Sequence, residues 1–399
     1  MINESATGAV TAKPIRVLHC PTLTGGNSPQ LARSERMLGL ASWAVAFEQN
    51  YINYDCDEIL WRADDCIVAR EFKRWKLLYR ALSSFDVVHF NCGLSILPNR
   101  VDAQPGPTSR LRGILRHLYR LYGRLFSLKD LPLLKRAGKA IFVTYQGSDA
   151  RQMDYCRRHF EISFADEVPP GTYSAASDAR KREDIGVFER YADGIFALNP
   201  DLLHVLPARA QFMPYASVDP ARWRPPDYRP GARACPLVVH APTRHGVKGT
   251  RFLLDAVNRL KSEGMDFEFV LVEKMSRAEA RRIYERADLL VDQLLAGWYG
   301  AVAVEAMALG RPVVCYLRQD DLRFLDPGMR SDLPIINATP GTLCDTLRDL
   351  LGKRRHTLAE AGARSRNYVE KWHDPDTLAA RMKNCYVAAL SRTSRVTRN

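Results

Sequence analysis

Metal and disulfide signatures are missing from this chain. Its nine cysteines contain no CxxC pair, and its nine histidines form no HExxH motif and no Cys/His cluster. A structural or catalytic zinc site is therefore not expected. An odd, scattered set of cysteines predicts reduced thiols and a cytoplasmic protein. No run of about 18 apolar residues occurs, so no membrane span is expected. Residues 1–14, "MINESATGAVTAKP", lack an apolar core and predict a loose tail rather than a secretory signal. Neither a short-period repeat nor a recognised nucleic-acid motif is present.

The chain does carry apolar residues and positive charge. With 399 residues and 46% hydrophobic content, it is long enough for two cores. A formal net charge of +13 favours an anionic partner, for which nucleic acid, an anionic membrane and phosphorylated substrates all qualify.

Strand-like runs alternate with amphipathic segments. The first half holds "IRVLHC", "DVVHFN", "KAIFVTYQ" and "DGIFALN"; the second holds "PLVVHAP", "FEFVLVE", "DLLVDQ" and "RPVVCYL". Segments such as "TRFLLDAVNRLKSEG" and "SRAEARRIYERAD" lie between them. This βαβ pattern predicts an α/β protein of two doubly wound Rossmann-like domains facing a cleft. The domains are expected at 15–217 and 236–372, joined by a Pro- and Arg-rich linker near 217–236. A last helix over 377–390 is expected to fold back on the first domain. Ligands of such sheets bind at the carboxyl ends of the strands.

Two second-half stretches fit that location. In "TRHGVKGT", Arg244 and Lys248 sit between a strand and a helix, where they suit a diphosphate or are ordinary turn charges. In "GWYGAVAVEAMALGRPVV", Gly310 and Pro312 end a short packed helix that Gly300 opens. The N–H groups of Ala301 and Val302 are then free to meet an anion. Glu305, little more than a turn further in, is a carboxylate that needs a partner: sugar hydroxyls of a bound nucleotide, or a neighbouring loop.

Together with "FMPYASVD", the stretches "HAPTRHGVKGT" and "YERADLLVDQLLAGWYGAVAVEAMALGRPVV" resemble the family 4 glycosyltransferases of the GT-B fold. The resemblance covers nearly all of the second half and, more faintly, the strand order of the first. It implies that Glu305 binds the nucleotide ribose and that Arg244 and Lys248 bind the donor diphosphate. It implies a retaining transfer of a hexose from a nucleotide diphosphate-sugar, without metal or other cofactor. The family's E-x7-E pattern is broken, because Gly297 stands where its first glutamate falls; Asp292 or Gln293 is a candidate replacement. The base-reading loop is expected at Glu273–Ser276.

In the first half, Gly25 and Gly26 follow the first strand. The resemblance implies that this loop reaches the donor phosphates from the opposite domain. "YQGSDARQ" places Gln146 and Asp149 at a strand end. Asp149 either accepts from an acceptor hydroxyl or caps the next helix. Gln146 stands where the family often has His; it cannot act as a base, which suits a leaving phosphate that takes the acceptor proton itself. His89 is either a cleft-edge residue or a core histidine. "DCD" at 55–57 mimics a metal-binding DxD but follows no strong strand.

Between the halves of the first domain, Leu111, Ile114, Leu115, Leu118, Tyr122, Leu125 and Phe126 recur at helical spacing, interleaved with Arg110, Arg112, Arg116, Arg120 and Arg124. This basic amphipathic helix either packs on its own domain or lies on an anionic membrane. The expected partners are a nucleotide-sugar and a glycan, lipid-linked or small-molecule acceptor, at the inner face of the plasma membrane in bacterial surface-polysaccharide or glycoconjugate synthesis. Two alternatives remain at this stage: a nucleotide-sugar-binding protein without transfer activity, and a basic nucleic-acid-binding protein.

Overall fold

The computed structural model describes residues 13–100, 110–169 and 173–396. Most of the expected N-terminal tail, residues 1–12, lies outside them. In chain order the first domain contains β1 (Arg16–Cys20), α1 (Asn27–Met37), β2 (Ala41–Ala46), β3 (Glu58–Ile59), α2 (Ile67–Ser84), β4 (Val87–Asn91), α3 (Arg110–Phe126), α4 (Asp130–Arg136), β5 (Ala140–Tyr145), α5 (Met153–His159), α6 (Ala175–Tyr191), β6 (Gly194–Ala197) and β7 (Gln211–Phe212). The second contains β8 (Leu237–His240), α7 (His245–Lys248), α8 (Thr250–Ser262), β9 (Glu268–Leu271), α9 (Arg277–Tyr284), β10 (Leu289–Val291), α10 (Ala301–Ala308), β11 (Val313–Cys315), α11 (Pro327–Asp332), β12 (Ile336–Asn337), α12 (Leu343–Leu351) and α13 (Leu358–Trp372). The chain then runs into α14 (Pro375–Val396).

Both sheets are wholly parallel, as the βαβ alternation requires. The first has the order β3-β2-β1-β4-β5-β6-β7 and the second β12-β11-β10-β8-β9. The order reverses between β1 and β4 in one sheet and between β8 and β10 in the other. A crevice opens at such switch points, beyond the carboxyl ends of the two diverging strands. The loops after β1, β4, β8 and β10 are thus the ones the fold sets at the cleft.

Strands buried on both faces read as continuous apolar runs, which is why "VVHF" and "AIFVTY" are recognisable in the sequence. One core lies under α2, α4 and α6, another under α8 and α12. A third runs from Val17 and Phe142 through Tyr215 and Trp223 to Trp298 and Met307, and includes Tyr386 of α14. Helix α14 crosses back to the first domain: the Tyr386 hydroxyl donates to Glu35 Oε1 (3.0 Å) and Lys383 Nζ to the Leu38 carbonyl (2.8 Å).

That crossing explains His89. It lies inside the molecule, not at the cleft edge: Nδ1 is 2.8 Å from the Tyr386 hydroxyl and Nε2 is 2.7 Å from Thr144 Oγ1. Burial, then neighbouring His19, holds its imidazole well below its usual pKa. Of the carboxylates of "DCD", Asp57 is structural and Asp55 is exposed. Asp57 accepts from the Ala44 amide and Arg36, and Asp55 pairs with Arg33.

Candidate active site

At the second switch point the loop after β8 winds into α7 and ends on Lys248. Gly249, at φ 73°, takes the left-handed turn that lets α8 begin at once. This turn aims the buried Lys248 side chain back at the loop after β10. Its ammonium lies 2.5 Å from Asp292 Oδ1, and Asp292 Oδ2 accepts the Gly300 amide at 2.6 Å. A Cβ at Gly300 would stand 3.1 Å from Lys248 Nζ, so glycine there lets the cation sit directly over the start of α10. The next N–H groups, of Ala301 and Val302, have no intrahelical acceptor. Cation and helix start together form an anion seat.

Arg244 does not join Lys248. It is exposed at the rim, and Nη1 reaches Tyr173 of the first domain at 3.4 Å. His240, at the end of β8, hydrogen-bonds to the Val291 carbonyl and Thr250, and burial pushes its pKa down to about 4.

Glu305 is buried on α10, and its partner is Arg277, whose Nε donates to Oε1 at 2.6 Å. Arg277 starts α9, just after the expected base-reading loop. Its Nη2 also donates to the Ser217 carbonyl, its guanidinium lies over the rings of Tyr54 and Trp223, and its amide donates to the Ile52 carbonyl. No motif in the sequence singled it out. Burial, then the Glu305 carboxylate, holds the Tyr54 phenol above its usual pKa. Within the base-reading loop, Glu273 contacts His245, and Ser276 caps α9 in a reciprocal box with Glu279.

Gly297 has φ 79°, and a Cβ there would lie 2.5 Å from Arg318 Nη1. The space beside it is filled by a cation. Arg318 pairs with Asp321 at 2.8 Å, stacks on Phe160 at 3.5 Å and donates to the Ile162 carbonyl of the first domain. Neither suggested replacement carboxylate nor amide is free: Asp292 serves Lys248 and Gly300, and the Gln293 amide donates to the Trp298 carbonyl.

At the first switch point, Gly25 and Gly26 have φ of 67° and 66°, which glycine adopts without strain. A Cβ at Gly26 would lie 2.6 Å from the Tyr54 ring. A Cβ at Gly25 would lie 3.6 Å from Gln146 Oε1, so these two expected site residues meet. Gln146 Nε2 is buried without a partner, an orphan donor at the cleft. Asp149 does not cap α5, whose N-cap is Gln152. It staples the loops instead, accepting from the amides of Gly93 (3.0 Å), Gln146 (3.1 Å) and Gly147 (2.6 Å).

The two halves of the site are joined through side chains. Gly26 packs on Tyr54, Tyr54 on Arg277, and Arg277 bonds Glu305. At the other end of the cleft, Met153, Cys156, Phe164 and Leu295 form a small core with Val247 and Phe252 against it. Arg251 forks onto Glu167, and His204 Nε2 meets Asp321 Oδ1 at 2.7 Å. Among the described residues, no group of three or more His, Cys, Asp and Glu is placed to hold a metal ion.

No protein-family model matches the chain, and no curated protein matches it. Solved structures do. The catalytic domain of starch synthase IV from Arabidopsis thaliana, bound to ADP and acarbose, has a TM-score of 0.57 at 11% identity, over 95% of this chain and 100% of its own. Sucrose-phosphate synthase from Thermosynechococcus elongatus gives 0.56 at 13% identity, over 95% and 100%. Anabaena HepE in complex with UDP-glucose gives 0.56 at 11%, over 94% and 99%. At these identities the likeness establishes the fold, which is GT-B: two Rossmann-like domains about a cleft.

Proposed function

We propose that the chain is a glycosyltransferase that moves a hexose from a nucleotide diphosphate-sugar to a hydroxyl of a glycan, lipid-linked or small-molecule acceptor, in surface-polysaccharide or glycoconjugate synthesis. One observation carries this reading: Lys248 stands over the start of α10, one helix turn from the buried Glu305. In this reading the diphosphate rests on the Ala301 and Val302 amides beside Lys248. Glu305 exchanges Arg277 for the ribose hydroxyls, and Arg244 approaches from the rim. The Gly25–Gly26 loop closes over the phosphates. Lys248 and the helix start neutralise the charge that grows on the departing diphosphate, so no metal is required.

Gln146 supplies an unpaired N–H that positions the acceptor but cannot remove its proton. That favours a leaving phosphate as proton acceptor, and with it retention at the anomeric carbon. Asp149 contributes by holding the Gln146 loop rather than by touching the acceptor.

The cation at Gly297 favours a second reading, a nucleotide-sugar-binding protein without transfer. Thermal-shift screening with UDP-, GDP- and ADP-sugars tests the binding common to both, because a ligand at 100 times its Kd stabilises by about 2.7 kcal/mol. Turnover on an acceptor panel then separates them. Binding without product supports the second reading, and the absence of any shift removes both.

A further inference from the structure

Helices α2 and α3 lie side by side on the first domain. Glu71 accepts from the hydroxyls of Tyr119 and Tyr122, both at 2.9 Å. Trp75 Nε1 donates to the Tyr122 hydroxyl at 2.8 Å, and the Trp75 ring meets Phe126 edge-on. The seam advances in the same chain direction on both, so the helices run parallel.

Each helix also carries a line of large apolar residues at i, i+4, i+7 and i+11. On α2 these are Val68, Phe72, Trp75 and Tyr79, exposed by 73, 71, 38 and 70%. On α3 they are Ile114, Leu118, Leu121 and Leu125, exposed by 58, 55, 47 and 59%. On α2, Phe72 follows seam residue Glu71 by one position and Trp75 sits where the line borders the seam; the α3 line precedes seam residues Tyr119, Tyr122 and Phe126 by one. At 100° per residue, those opposite offsets turn both lines to the same side of two parallel helices. The result is one apolar face rather than scattered exposed side chains.

This differs from a helix packed on its own domain. Tyr122 and Phe126 do pack inward, but Ile114, Leu118 and Leu125 do not. The side chains of Arg110, Leu111, Arg112 and Leu115 are outside the described residues.

The two helices hold ten Lys or Arg against one Glu. Lys73 and Arg80 are paired with Asp65 and Glu58, and Lys76, His117 and Arg124 are exposed around the apolar lines. Asp64 is the exposed acid in the turn before α2. An apolar face with a basic surround is complementary to lipid carrying negative headgroups. Gly123 of α3 lies against the Asn99 carbonyl, in the segment that leaves β4 through Gly93, whose amide donates to Asp149.

We propose that the α2–α3 face docks the protein on an anionic bilayer, so that the acceptor hydroxyl is presented to the cleft by a membrane-borne lipid. The docking stands on the face alone; the lipid-borne acceptor rests on the transfer reading. Co-sedimentation with vesicles of phosphatidylcholine, alone or mixed with phosphatidylglycerol, at low and high salt, tests it. Wild type is expected to bind the anionic vesicles at low salt, and binding should weaken in high salt. The triple variant Phe72→Ser, Leu118→Ser, Leu125→Ser should bind at least about a hundredfold more weakly, with an unchanged thermal midpoint because the sites are exposed. Lys76→Ser with Arg124→Ser should lose about thirtyfold at low salt.

Failure of wild type to bind anionic vesicles overturns the proposal. So does a triple variant that binds like wild type, or a wild-type dimer that the triple variant dissociates, which would make this face a contact between copies. Donor titration on the same preparations keeps this outcome separate from the transfer reading.

Discussion

Arg277 and Glu305 form an ion pair 2.6 Å long between the start of α9 and the second turn of α10, at the point where the first domain reaches the second through Tyr54. The carboxylate expected to hold a ribose is thus already held by a cation. Nucleotide binding has to exchange a charge-assisted bond rather than fill an idle site. Glu305→Gln should weaken nucleotide-sugar binding by about 1.5–3 kcal/mol while leaving the fold intact. Calorimetric affinity equal to wild type would remove the ribose role.

Lys248→Ala has two separable consequences. The pair with Asp292 is buried, so its loss leaves an uncompensated carboxylate and should cost about 3–5 kcal/mol of stability. Adding Asp292→Ala should return much of that in denaturant unfolding. If the cation acts on a leaving phosphate as proposed, turnover should fall by about 10²–10³ in the single variant and stay low in the double one, chiefly in kcat. A rise in KM alone would contradict the role.

Gly297→Glu restores the E-x7-E spacing but should not raise donor affinity or turnover. The backbone there is left-handed, and the first side-chain atom would meet Arg318. The strain alone should cost about 1–3 kcal/mol. Thermal unfolding of the variant, with and without Arg318→Ala, checks this: the second change should relieve the contact but not the backbone cost. A single variant as stable as wild type would show that Arg318 moves freely.

Buried imidazoles set an acid limit, His89 among them. Burial pushes His240 and His373 down to about 4. In the unfolded chain each takes a proton below about 6.5, so the unfolded state binds more protons between the two values. Their contribution is fully present above pH ~6.5 and is lost as pH falls toward 4. Each should cost about 3 kcal/mol across that window. Urea unfolding at a series of pH values checks it. For His373→Phe the slope should be smaller; an unchanged slope would assign the acid sensitivity elsewhere.

The long apolar strands were readable because burial on both faces leaves them few polar positions. β2 was not, since "ASWAVA" alternates small residues with an exposed Trp43 and carries little apolar signal. β3, β7 and β12 are two residues each and have no pattern to read. Lys248, Gly300 and Glu305 were visible because they follow strands at fixed offsets. Arg277 and Arg318 were not: Arg277 reaches Glu305, and Arg318 reaches Phe160 and the Ile162 carbonyl, only through the tertiary fold, and an arginine among 58 basic residues has no local mark. The reading of Asp149 as a helix cap failed for a related reason. The Gln146 and Gly147 amides compete locally, and the third donor, Gly93, is remote in sequence and arrives only when β4 and β5 pair. The exposed face of α3 looked amphipathic in sequence, but whether its apolar line turned in or out depended on the neighbouring α2.

The central claim is that the start of α10, Lys248 and Glu305 form one nucleotide-sugar site. Isothermal titration of the purified protein with UDP-, GDP- and ADP-hexoses, repeated with Glu305→Gln, tests it most directly. At least one donor should bind wild type, with affinity reduced about tenfold or more in the variant. No binding by any donor, or equal affinity in both proteins, would contradict it.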